Sequence, residues 1–209
     1  MQGCHITVLR QEAIEALELK ADGVYIDATF GGGGHSQDIL AELGDSGKLF
    51  SYDKDENARL LATKEPFTDK RFKFKHKSFA GIATDMESEG LSGSVSGVLF
   101  DLGVSSFQLD NPERGFSFST DGPLDMRMDT KQGFTAADWV NSTPEKELAD
   151  TIFQYGDERF SRRIAKAIVK ERKVRKITRT LQLAETVAGV LPWKHNGKHP
   201  ATRTFQAIR

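Results

Sequence analysis

The sequence predicts an open α/β fold whose second half turns helical, and three observations carry that reading. Short apolar runs of strand character each end on an acidic residue: Val24-Tyr25-Ile26 before Asp27, Leu49-Phe50-Ser51-Tyr52 before Asp53, and Val98-Leu99-Phe100 before Asp101. Segments of helical period lie between them, the alternation that builds a parallel sheet with crossover helices. From Thr135 onward the pattern is helical, and Thr202 to Arg209 reads as the beginning of a helix or a strand.

Gln11 to Leu19 sets Ala13, Ile14, Ala16 and Leu17 at helical spacing ahead of the first strand. A glycine-rich turn follows that strand, and Ser36 to Leu43 reads as a helix with Ile39, Leu40 and Leu43 inward and Gly44 as its stop. Asp45-Ser46-Gly47 turns the chain into the second strand. A helix over Glu56–Lys64, a weaker strand alternating at Phe72 and Phe74, and a helix over Ala80–Glu89 lead to the fourth strand. Leu102 to Gly133 is rich in Gly, Ser, Asp and Pro with little periodicity; so long a loop is either functional or disordered, and Phe107, Phe116 and Phe118 argue against disorder. Ser142-Thr143-Pro144-Glu145 predicts a helix start, with a hydroxyl as cap, proline in the first turn and Glu completing a box. That helix closes at Gly156, and others are expected over Asp157–Lys173 and Leu181–Val190. Four strands followed by helices would ordinarily return to complete the sheet. No such return is visible, so the sequence reads as a fragment.

Composition narrows the function classes. Of 209 residues, 38% are hydrophobic and 28% charged, and no run approaches a bilayer-spanning length. Residues 1–20 lack the pattern of a signal peptide, and the single cysteine, Cys4, cannot pair within the chain. The chain has no Cys/His spacing suited to zinc. A cytoplasmic location without a metal follows as the expectation. The net charge of −1 conceals an asymmetry: residues 1–155 hold 15 Lys+Arg against 26 Asp+Glu, a net −11, and residues 156–209 hold 14 against 4, a net +10. Such a local basic segment is either a site for a polyanion or a solvated helix surface. Arg159, Arg162, Arg163, Lys166, Lys170 and Lys173 recur at helical spacings as one stripe, opposite an apolar stripe of Phe160, Ile164, Ala167 and Ile168.

The turn Thr29-Phe30-Gly31-Gly32-Gly33-Gly34-His35-Ser36 joins the first strand to its helix. Glycine there lets a ligand approach the backbone closely. Ser36 occupies the third glycine position of the dinucleotide fingerprint, which disfavours a pyrophosphate and favours a cofactor whose amino-acid part lies along the loop. A plain tight turn is the bland alternative. Asp53 ends the second strand about 20 residues beyond the loop, where a carboxylate can accept both ribose hydroxyls; an ordinary helix cap is its other reading. Asp101 ends the fourth strand at the edge where ligands of such sheets sit. Phe79 is a candidate for the adenine face, with a core role the alternative.

These residues resemble a known family. His5-Ile6-Thr7-Val8-Leu9, the glycine loop, Asp101-Leu102-Gly103-Val104-Ser105-Ser106 with Gln108-Leu109-Asp110, and Glu113-Arg114-Gly115-Phe116-Ser117-Phe118 are similar to the bacterial small-subunit rRNA cytidine-N4 methyltransferases. So are Asp121 to Asp129, Tyr155 to Phe160, and Lys198 to Gln206. The resemblance implies a Rossmann-like S-adenosylmethionine-dependent methyltransferase sheet, incomplete here, with an inserted all-helical domain. Residues 1–104 would form the first part of the methyltransferase domain, residues 105–209 the connecting active-site loop and the basic helical insert, with the remaining strands after 209. Gly33, Gly34, His35, Asp53, Phe79, Asp101 and Gln108 would contact S-adenosylmethionine. The methyl acceptor would be N4 of a cytidine in 16S rRNA near the decoding centre, presented as RNA or as the assembled small subunit. One departure is Phe107, where the family often has proline.

No catalytic residue is assigned. Many amino-methyltransferases end the fourth strand on Asp or Asn followed by two prolines and an aromatic residue; here Asp101-Leu102-Gly103-Val104 stands instead. Asp101 and the backbone after it are expected to line the amine site. Arg114, Phe116, Phe118 and Arg127 of the long loop could stack on an exposed base or pack beneath the loop. Two other classes stay open: an RNA-binding relative without activity, and a nucleotide-dependent enzyme of another kind.

Overall fold

The computed structural model describes residues 9–191 and 199–209. Cys4, the His5–Val8 part of the first motif, and Lys198 lie outside the described residues. The chain divides into two compact units, 1–105 and 106–209.

The first unit is α/β. Its elements are α1 (Arg10–Leu17), β1 (Val24–Asp27), α2 (Gly34–Glu42), β2 (Lys48–Asp53), α3 (Glu56–Leu61), β3 (Phe72–His76), α4 (Ile82–Ser88) and β4 (Gly97–Leu99). All strand pairs are parallel and the order is β3-β2-β1-β4, with Tyr25 opposite both Leu49 and Gly97. This is a Rossmann-like arrangement. Strand side chains alternate between faces, and two cores result. Tyr25, Leu49 and Phe72 pack with Phe30, Ile39, Leu40, Leu43 and Phe67 on one face, joined by Ile14 and Leu17 of α1. Val24, Ile26, Phe50 and Tyr52 pack with Met86 on the other, with Ile82 of α4. β1 is buried along its whole length, as a strand covered on both faces must be. β4 stops at Leu99, short of the run expected from sequence, so Phe100 leaves the ladder and is 51% exposed.

The second unit holds α5 (Ser106–Asp110), α6 (Ala136–Ser142), α7 (Glu145–Gly156), α8 (Ser161–Val174), α9 (Thr180–Ala188) and α10 (Thr202–Ile208). α7 packs on α8 and α10, and α8 on α9. Val140, Leu148, Ile152, Ile164, Ile168, Leu183, Val187 and Phe205 are all fully buried. Among the described residues, no helix is long and apolar enough to cross a membrane.

Two helix starts differ from the sequence expectation. α7 begins at Glu145 with Pro144 as N-cap and no side-chain cap, and Thr143 is the C-cap of α6 through its backbone amide. The capping box lies one helix earlier: the Thr135 hydroxyl accepts from the Asp138 amide, and the Asp138 carboxylate accepts from the Thr135 amide. Thr135→Ala is expected to lower stability by about 1 kcal/mol in a denaturant titration. The other start is that of α8, which begins at Ser161 rather than Asp157. Asp157 caps α7 at φ 50°, and the Glu158 carboxylate accepts from the Phe160 amide.

Candidate functional site

At the carboxyl ends of β1, β2 and β4 the glycine turn is fastened on both sides. The Ala28 amide donates to the Leu99 carbonyl and the Phe30 amide to the Tyr52 carbonyl, which extends both parallel ladders beyond β1. The Thr29 hydroxyl oxygen accepts from the Asp101 amide at 2.7 Å. Gly33 adopts φ 75°, and a Cβ there would lie 2.6 Å from the Phe67 ring. Glycine at this position is therefore required twice, by conformation and by space. It is also the N-cap of α2 and brings no side chain over the first turn, leaving the helix start open to a ligand.

Asp53 is built into this turn. One oxygen accepts from the Gly31 amide at 2.8 Å and the other from the Asp55 amide at 2.9 Å. Each oxygen keeps a lone pair for a ligand hydroxyl. Burial pushes the Asp53 carboxyl up, against the lowering effect of these two amides. The helix-cap alternative falls to Asp55 instead, whose carboxylate accepts from the Asn57 amide at the start of α3.

His35 follows in the first turn of α2 with its side chain 6% exposed. Its Nε2 lies 3.8 Å from an Asp101 oxygen, and its Nδ1 is buried without a hydrogen-bond partner among the described residues. An unmet buried ring nitrogen costs free energy unless something reaches it. Phe79 is 38% exposed, standing edge-on to Phe100 with ring centroids 5.4 Å apart. The ring is half-exposed rather than buried in either core.

Six of the seven residues anticipated for cofactor binding thus belong to the first unit. Direct contacts join Gly31 to Asp53, His35 to Asp101, and Thr29 to Asp101. Gln108 belongs to the second unit, where it is buried and its amide nitrogen lies 3.1 Å from the Met128 sulfur.

Beneath the turn lies a buried polar group that the sequence pattern does not assign to the site. Asp27 accepts from the Thr29 amide at 3.0 Å and from the Ser36 hydroxyl at 2.6 Å, and the Ser36 oxygen lies 2.7 Å from that of Ser51. All three side chains are fully buried. The signal is the register itself, which sets Asp27 beside Ser51 across β1 and β2. Burial drives the Asp27 carboxyl up, opposed by the bonds from Ser36 and Thr29. An acid whose folded value lies above its unfolded one binds its proton more tightly when folded. Its stability contribution is complete below the ordinary carboxylate range and is lost as pH rises through the folded value. Asp27→Asn should therefore flatten the pH dependence of the melting temperature above that range; an unaltered profile would remove Asp27 as its source.

In the second unit the long loop packs inward. Phe116 is fully buried and Arg114 is 8% exposed, with an Arg114 Nη donating to the carbonyls of Arg127 and Met128. Phe118 packs on Phe205 and His199, at 4.5 and 4.8 Å between centroids. Arg127 is tied to Asp125. Packing beneath the loop, rather than stacking on a base, is what Arg114 and Phe116 do here.

The elements of the first unit suit a nucleoside that carries an amino-acid chain. Asp53 offers acceptors for hydroxyls, Phe79 a ring face, and the Gly33–His35 turn a close backbone and an unmet ring nitrogen. S-adenosylmethionine has these parts, so the residues fit it.

A model of the MraW methylase family matches residues 2–209. A protein of Alteromonas mediterranea named ribosomal RNA small subunit methyltransferase H is 53% identical over 205 residues, covering 98% of this chain and 65% of that protein. Proteins of the same name from two strains of Legionella pneumophila are 55% identical over 205 residues, covering 98% of this chain and 67% of theirs. The chain spans about two thirds of the length of these curated relatives.

Proposed function

The chain belongs to the MraW methylase family, and on that footing we propose that it transfers the methyl group of S-adenosylmethionine to N4 of a cytidine in 16S rRNA near the decoding centre. The observation that carries this reading is the fastened turn in which Gly31, Gly33, His35, Asp53 and Asp101 meet at one end of the sheet. Gly33, Gly34, His35, Asp53, Phe79 and Asp101 hold the cofactor. Residues 105–209 serve as the connecting active-site loop and a basic helical domain inserted into the methyltransferase fold. RNA, free or in the small subunit, is the partner, and the cytoplasm is the compartment.

Bound S-adenosylmethionine supplies a methyl group on a positively charged sulfur. Transfer to an amine is an in-line displacement, for which alignment is the main requirement. The N4 lone pair of cytosine is delocalised into the ring, so the chain must orient the amine as well as the donor. Asp53 fixes the ribose, and Phe79 the adenine. Asp101 and the backbone of Leu102-Gly103-Val104 line the amine site, where acceptors on the N4 hydrogens turn the lone pair toward the methyl group. The cytidine must be single-stranded or extruded to enter.

Isothermal titration separates this reading from its competitors. S-adenosylhomocysteine should bind with one-to-one stoichiometry, and NAD should give no heat. Binding of NAD in preference would point to a dinucleotide enzyme, and binding of RNA with neither cofactor would point to an inactive RNA-binding relative.

A further inference from the structure

We infer that the exposed face of α8 is a phosphate-binding surface that docks the RNA substrate. This rests on the proposed RNA methylation, and it adds where on the chain the RNA backbone is held. Six residues of α8 are exposed: Arg162, Arg163, Lys166, Lys170, Lys173 and Val174. Five are cations, and on a helical projection they fall within an arc of about 100°. The half-buried Glu171 lies outside that arc. Ile164, Ala165 and Ile168 on the opposite side are fully buried, so packing fixes which way the cations face. The row runs about 17 Å along the helix axis from Arg162 to Lys173, with Arg162, Lys166 and Lys170 about 6 Å apart.

Several other cations of this unit have partners. Arg172, on the same helix, donates to the carbonyls of Val140 and Thr143 at the end of α6. Arg179 pairs with Asp121, and Arg209 donates to the Phe116 carbonyl. Arg159, anticipated as the first member of the row, precedes the helix and lies over the Phe160 ring at 4.7 Å. By contrast, none of the five cations on the α8 face forms an ion pair or side-chain hydrogen bond among the described residues. Like charges so placed repel one another and contribute nothing to folding. A polyanion reverses that balance by releasing its own counterions as the cations neutralise it.

The chemistry favours a nucleic acid over an anionic membrane. A helix that lies on a bilayer needs a bulky apolar face to insert. Ile164, Ala165 and Ile168 of α8 are buried in the core, and within α8 Val174 alone is both apolar and exposed.

The test measures binding of a short fluorescein-labelled single-stranded RNA across a salt series. Arg163→Glu with Lys166→Glu should weaken binding about tenfold or more at low salt, and should flatten the salt slope by about one unit for each phosphate no longer neutralised. Arg163→Gln with Lys170→Gln should move both quantities in the same direction by less, with a melting temperature equal to wild type. Arg163→Lys with Lys166→Arg keeps the charge and should bind as wild type. Parallel salt slopes and equal affinity in the Glu and Gln variants would overturn the inference. So would tighter binding to phosphatidylglycerol vesicles than to RNA. S-adenosylhomocysteine titrated into the same variants should bind unchanged. Loss of RNA docking with the cofactor site intact is thereby distinct from failure of the methyltransferase reading, in which S-adenosylhomocysteine does not bind the wild type either.

Discussion

Asp53→Ala is expected to weaken S-adenosylhomocysteine binding by about 1.5–3 kcal/mol, roughly 10- to 150-fold, because two ribose hydroxyls lose a charged acceptor. The structure adds a second cost. Asp53 also accepts from the Gly31 amide, so its loss releases the turn that the cofactor lies against. Asp53→Asn should be nearly as harmful. Both carboxylate oxygens already accept backbone N–H groups, and an amide nitrogen in place of either would set donor against donor. Calorimetry on both variants checks this. Equal affinity in wild type and both variants would remove the ribose role. A loss in Ala with full retention in Asn would show that shape, not the charged acceptor, is what matters.

Gly122→Ala should be among the most destabilising single changes in the second unit. A Cβ at Gly122 would lie 2.0 Å from the Pro112 carbonyl oxygen and 2.7 Å from its carbon, both backbone atoms that cannot rotate aside. The glycine is held from the other side as well. Its amide donates to the Thr180 hydroxyl at 3.0 Å, and its carbonyl accepts from the Thr180 amide at 2.9 Å. The expected loss is about 3 kcal/mol, seen as a melting temperature lower by roughly 6–12 °C. Gly115→Ala should behave alike, since φ is +69° and a Cβ would lie 2.1 Å from the Pro123 oxygen. Gly103→Ala is the control, with nothing within 4 Å of its Cβ position and no left-handed φ. A Gly122→Ala melt that matches the Gly103→Ala one would mean that the loop can yield there.

These two positions differ in how legible they are from sequence. The role of Asp53 at the end of β2 can be read from an apolar run and its distance from the glycine turn, both local properties of the chain. The requirement at Gly122 cannot, because it arises from Pro112, ten residues earlier, and Thr180, on another helix. The burial of Phe116 and Arg114 is likewise a tertiary property, and composition alone leaves them equally suited to stacking on a base. The pattern of short apolar runs, with alternation at Phe72 and Phe74, locates all four strands. It overruns at Phe100, whose apolar side chain looks like strand but stands at the site beside Phe79.

Helix starts mislead for a related reason. Ser142-Thr143-Pro144-Glu145 has the composition of a cap, yet Thr143 ends α6, its backbone amide donating to the Trp139 carbonyl, and Pro144, which has no side-chain acceptor, takes the N-cap position of α7. Asp27 is visible as a strand end. That it is sealed with Ser36 and Ser51 beneath the turn follows only from register and burial. The cationic face of α8 is legible from spacing. Its separation from Arg172, which looks equivalent in sequence, needs the carbonyls at the end of α6.

The measurement that bears most directly on the central claim is nucleoside mass spectrometry after methyl transfer. The protein, methyl-labelled S-adenosylmethionine and small ribosomal subunits lacking the modification are incubated together, and the 16S rRNA is digested to nucleosides. The label is expected in N4-methylcytidine, and is expected to be lost with Asp53→Ala. Label on another atom of the base or on the ribose, or no label from a protein that binds S-adenosylmethionine and these subunits, would contradict it.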